Sequence, residues 1–199
     1  MTTRIDVDRE SHTTDARLVA LTQQTREDGQ RVVGVFDPLT TIDVKDQNLR
    51  DGMVFYVYAA RLDGNKLAND ANLDVVFTAN PGVNVCMDVI VQCGGDAEFE
   101  IYENVTQVTG GTLFVPLNRN RRSTIASSCG AVIQPSSVTT NGVIFQEIII
   151  GGSGGNAGGN AIDSADYILK PDTSYLFRLT NRSGQARLAE VQLNWCEPT

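Results

Sequence analysis

Glu98, Glu100 and Glu103 are the first residues in this chain that suggest chemistry, because two opposed carboxyl groups are what hydrolysis of a glycosidic bond requires. Glu98 and Glu100 are two apart in a run that alternates apolar and polar residues. That spacing puts both on one face of a strand, and a wet sheet surface accounts for them without catalysis. The one histidine, His12, sits in a polar stretch away from any candidate nucleophile. There is no nucleophile elbow and no pair of metal ligands at useful spacing. Four cysteines, Cys86, Cys93, Cys129 and Cys196, form no C-x-x-C pair, so a zinc site is not expected. Cys86 and Cys93, an odd number of residues apart in one strand-like run, should face opposite ways. The expectation is four free thiols. No catalytic residue, cofactor or metal is assigned, and the chain is not expected to be an enzyme.

Two further segments invite a ligand. The glycine-rich stretch 151–160 resembles a phosphate cradle only in composition. It lacks the Gly-Lys-Ser/Thr of a P-loop and the βαβ frame of a dinucleotide fingerprint, and reads as a loop. Residues 118–123 place Arg119, Arg121 and Arg122 in a loop after Pro116, where planar guanidinium groups can hold carboxylates of a neighbouring subunit. These three arginines are candidate interface residues. Leu18, Val19 and Leu21, the one apolar patch of an otherwise polar segment, are a second candidate.

A formal net charge of -8 argues against a nucleic-acid or anionic-membrane partner, since both need clustered Lys and Arg. No apolar run approaches the ~20 residues of a membrane span, and the first residues lack the shape of a secretory signal, so export by the general route is not expected.

The elements that must carry these residues are strands. Apolar–polar alternation recurs in short runs at about 10-residue spacing, with Asp51-Gly52, Asn80-Pro-Gly82 and Gly110-Gly111 as turn signals. Helical periodicity is absent, and the spacing predicts an all-β sandwich or barrel. Residues 1–30 read as an extended N-terminal arm and 31–199 as the β domain. Residues 73–78 and 83–91 read as a pair of strands around the Asn80 turn. The run Ile148-Ile-Ile150 implies burial on both faces or a contact between subunits. Near the end, Tyr175, Phe177 and Leu179 should point one way and Leu176, Arg178 and Thr180 the other. Ala189, Val191, Leu193 and Trp195 should share a face. These two runs are expected to form a closing hairpin, with the only tryptophan as its largest core residue. Tyr102, Tyr167, Tyr175 and Trp195 are better explained by packing than as a sugar platform.

From about residue 53 onward the chain resembles the cement or head-decoration proteins of tailed bacteriophages. The resemblance rests on Ala97-Glu-Phe-Glu-Ile-Tyr-Glu-Asn104, Gly110-Gly-Thr112, Asn118-Arg-Asn-Arg121, Tyr167-Ile-Leu-Lys-Pro-Asp-Thr-Ser-Tyr175, Arg178-Leu-Thr-Asn181 and Trp195-Cys-Glu197. Cys196 departs from it, standing where an aromatic residue is expected. The resemblance implies a jelly-roll-like antiparallel β-sandwich, a homotrimer, and binding to the major capsid protein. It places the protein on the outer surface of the virion head, after assembly in the host cytoplasm, where it would stabilise the mature capsid. A receptor- or glycan-binding module of a fibre or tail is the alternative.

Overall fold

The computed structural model describes residues 23–25, 31–33, 44–129, 132–135, 137–151 and 167–198. The chain divides into two compact units, Met1–Gln47 and Asn48–Thr199. The sequence boundary between residues 30 and 31 falls inside the first unit. There, strands β1 (Gln23–Thr25) and β2 (Arg31–Val33) pair antiparallel with each other.

Contrary to the sequence reading, there is a helix, α1 (Val44–Arg50). At seven residues it is too short to display a 3.6-residue period. Its end explains why Asp51-Gly52 read as a turn. Gly52 takes φ +76°, its N–H bonds to the Leu49 carbonyl at 3.2 Å, and the Met53 N–H reaches back to Asn48 at 2.8 Å. This is the left-handed glycine stop that satisfies the last helical carbonyls.

The second unit is an antiparallel β-sandwich, as the spacing of strand signals predicted. Its strands in chain order are β3 (Val54–Arg61), β4 (Asn72–Ala79), β5 (Val85–Cys93), β6 (Ala97–Glu103), β7 (Thr106–Thr109), β8 (Thr112–Phe114) and β9 (Leu117–Asn118). Then follow β10 (Val132–Gln134), β11 (Ser137–Thr140), β12 (Val143–Ile150), β13 (Tyr167–Leu169), β14 (Thr173–Asn181) and β15 (Ala189–Cys196). One sheet has the order β12-β6-β14-β4-β10-β8, the other β13-β5-β15-β3-β9, and β7 pairs with β11.

The pairings are nested. β3 pairs with β15, β4 with β14, β5 with β13, β6 with β12, β7 with β11 and β8 with β10, leaving β9 at the tip. The unit is therefore one long hairpin rolled up. The contacts β14–β6, β15–β5, β10–β4 and β3–β9 knit the roll into sheets.

This winding corrects two expectations. β14 and β15 are not a hairpin, because they lie in opposite sheets, and the same is true of β4 and β5. Turn residues mark where a chain reverses, but in a rolled ribbon the next strand crosses to the other layer. The crossing loop 182–188 is held instead by the loop before β4. Leu67 and Arg187 exchange both backbone hydrogen bonds, at 2.8 and 2.9 Å.

The face assignments hold. Tyr175, Phe177 and Leu179 meet Val191, Leu193 and Trp195 in a single buried core. Trp195 is 1% exposed. Phe77 packs edge-on to it at 5.2 Å and Phe55 tilts against it at 6.0 Å. Burying each such side chain contributes about 1.5–3 kcal/mol. Along the end of β12 the consecutive isoleucines 148–150 alternate. Ile150 is buried, Ile148 packs partly on the core, and Ile149 is 82% exposed. Among the described residues nothing buries the outer face at Ile149.

Candidate interaction surface

The arginine turn is a built structure. Asn118, nearly buried, donates its side-chain amide to the carbonyls of Gly52 (2.7 Å) and Ile125 (3.0 Å) and accepts from the Asn120 N–H at 2.9 Å. Asn120 in turn donates to the Arg50 carbonyl at 2.8 Å and accepts from the Arg122 N–H at 3.1 Å. The Arg119 N–H continues the sheet by bonding Val54 at 2.8 Å. Two asparagines, which readily bond their own backbone two residues on, thus lock the turn to the start of β3. Arg119, Arg121 and Arg122 are all exposed at its rim. Arg121 reaches only the Asn118 carbonyl, at 3.4 Å. Among the described residues no carboxylate lies within ion-pair distance of any of the three.

The segment after the turn is moored by Glu197. Its carboxylate accepts from the Ser127 and Ser128 hydroxyls at 2.5 Å each, the Ser128 N–H at 2.8 Å and the Trp195 indole N–H at 2.8 Å. Burial alone would push this acid's pKa up, but these donors outweigh it and hold the pKa below the ordinary value. Beside it the Cys129 thiol is pushed up to about 12 by burial and by the Glu197 charge.

The glutamates of β6 are engaged by neighbours. Glu98 accepts from Arg182 at 2.9 Å and Glu100 from the Tyr102 hydroxyl at 2.7 Å, while Glu103 pairs with Lys170 at 2.6 Å. Burial, then Glu100, raises Tyr102 to about 12. Of the aromatic residues weighed as a platform, Tyr175 and Trp195 are buried in the core and Tyr102 and Tyr167 are half-buried.

All four cysteines are free. Cys93 is buried while Cys86 is half-exposed on the other face, as their spacing required. What local sequence could not reveal is that Cys86 lies directly across from Cys196 in the β5–β15 register. Burial, then Cys86, raises the Cys196 pKa to about 11. No group of three or more His, Cys, Asp or Glu that could hold a metal occurs among the described residues. Leu18, Val19, Leu21, His12 and nearly all of the glycine-rich stretch lie outside the described residues.

The sequence reading also missed the lateral edges. β12 and β13 end their respective sheets on one side, joined by an edge-on contact of Phe145 with Tyr167 at 5.8 Å. Val143 is 64%, Ile149 82% and Ile168 80% exposed there. On the opposite side β8 and β9 end the sheets, with Leu113, Val115 and Leu117 exposed. A shallow groove of about 400 Å³ runs there between Tyr58, Leu62, Phe114, Val115 and Leu117.

Comparison of the chain with protein-family models, with curated proteins and with solved structures finds no match.

Proposed function

We propose that this chain is a structural protein of a tailed-bacteriophage virion, a cement or decoration protein that binds the outside of the icosahedral head as a homotrimer and stabilises the mature capsid. The observation that carries the reading is the nested pairing of β3–β8 with β10–β15. We read this as the jelly-roll-like winding that the sequence resemblance implies. The arginine turn, rigidly mounted and without a carboxylate among the described residues, suits adhesion to the major capsid protein through paired hydrogen bonds. The role is non-catalytic. Glu98, Glu100 and Glu103, which first suggested sugar chemistry, are taken up by Arg182, Tyr102 and Lys170.

Many copies on a shell turn weak individual contacts into firm attachment. A protein that binds the expanded lattice better than its precursor shifts the balance toward the expanded form and raises its resistance to internal pressure. Quantitative mass spectrometry of purified particles tests the role. Hundreds of copies per particle are expected for a head component, whereas a handful would point to a fibre or tail module that binds a receptor or glycan. Heads lacking the protein should rupture at lower temperature or under milder osmotic shock, and unchanged rupture would count against the role.

A further inference from the structure

We propose that copies of this chain associate head to tail, the β12/β13 edge of one docking on the β8/β9 edge and arginine turn of the next. The inference takes self-association from the reading above and does not depend on capsid binding.

The β12/β13 edge carries only part of the protection found on the edges of solitary proteins, as far as the described residues go. β12 runs eight residues at the end of a sheet, and its outer backbone groups meet no other strand among the described residues. Lone edges are blunted by lysine, proline, bulges or covering loops. β12 contains neither lysine nor proline; a bulge interrupts its register between Ile144 and Gln146, but Gln146 to Ile150 pair regularly, and Ile149 is exposed on the outer face of this sheet as Ile168 is on that of the other. Such an edge is a template for another chain.

Charge selects the partner. Glu147 stands in register opposite Glu100, and the next position across the sheet is Arg178, which is engaged in a fork with Asp74. Like charges directly opposite destabilise a sheet. Glu147 is exposed and has no cation in ion-pair distance among the described residues. At the other edge Arg119, Arg121 and Arg122 are in the converse position, next to exposed Leu113, Val115 and Leu117 and the groove. Each edge supplies what the other lacks. A two-fold contact of β12 with itself would bring glutamates together and leave the arginines unused. A heterologous contact joins acid to base and isoleucine to groove, and it closes into a ring when the rotation per copy permits.

The test is association of the full chain in solution, followed by analytical ultracentrifugation. The wild type should sediment as a discrete multiple of the chain mass and dissociate as salt rises. Ile149→Lys, and separately Arg121→Glu with Arg122→Glu, should each weaken association on the order of 100-fold. Their melting curves should show that the monomers stay folded. Mixing the two variants is the decisive step. Each retains one intact and opposite edge, so the mixture should form a one-to-one dimer that neither forms alone. A mixture that stays monomeric, a wild type that is monomeric at every concentration, or an Ile149→Lys chain that assembles like the wild type would overturn the proposal. A chain that assembles in solution but does not bind heads would instead overturn the capsid role alone.

Discussion

Trp195, the largest residue of the core, donates its indole N–H at 2.8 Å to Glu197, two positions further along the chain. The same carboxylate collects Ser127 and Ser128, so one acid ties the segment beyond the arginine turn to the central strand β15. A charge buried this far is tolerated because donors surround it. Its folded pKa lies below the ordinary glutamate value, so the stability it contributes is present above that value and is lost as pH falls through the folded one. Denaturant unfolding measured from pH 7 downward should show this acid loss. Glu197→Gln should cost roughly 2 kcal/mol at pH 7 and flatten the acid limb, since charged hydrogen bonds are worth more than neutral ones. An unchanged acid limb in the variant would refute the assignment.

Arg178 grips Asp74 with two parallel bonds, at 2.8 and 2.7 Å, on the outer face of the six-stranded sheet. Each side chain is 16% exposed, and the guanidinium lies over the Tyr102 ring at 5.9 Å. Lysine keeps the charge but not the fork. Arg178→Lys should therefore lose about 1–2 kcal/mol and Arg178→Ala more, because Asp74 is then left largely desolvated. Equal stability of the lysine variant and the parent would show that charge alone suffices.

Asn118 should control the arginine turn from beneath. Replacing it with alanine removes the bonds to Gly52, Ile125 and Asn120 and should cost about 1–3 kcal/mol. A second readout separates local from global effects. Trypsin should cleave after Arg119, Arg121 or Arg122 faster in Asn118→Ala than in the parent under conditions where both remain folded. Equal cleavage would mean the turn holds itself.

The pairing of Cys86 with Cys196 predicts a redox response. Residues directly opposite in antiparallel strands have Cα separations of about 4.5–5.5 Å, inside the range a disulfide bridges. Hydrogen peroxide should take two hydrogens from the folded protein, giving one disulfide and water, with Cys93 and Cys129 still titrating as thiols. The loop closed exceeds 100 residues, so the gain in stability is at most about 4–5 kcal/mol. Cys86→Ser should abolish the mass change. A disulfide involving Cys93 would contradict the register.

How much of this could be read beforehand follows from the range of each signal. Period-2 alternation placed Glu98 and Glu100 on a wet face and Trp195 with Val191 and Leu193 in the core. Each of these is a local property of one strand. Partnership is not local. The closing hairpin expected of the last two runs assumed a reversal between them, but alternation could not say that β15 would settle between β3 and β5 rather than beside β14. Everything dependent on that choice was hidden, including the Cys86–Cys196 juxtaposition and the exposed edge at Ile149. The arginine cluster was visible in the sequence. Its mounting on Asn118 was not, because Gly52 and Arg50 lie far away along the chain.

The slot occupied by β15 has a consequence for synthesis. With β3 on one side and β5 on the other, β15 is the keystone of its sheet, and it is made well after both of its neighbours. Until those residues emerge, β3 and β5 have no common neighbour and the apolar interior stands open. A chain interrupted before β15 would leave that interior uncovered, a substrate for chaperones and proteases.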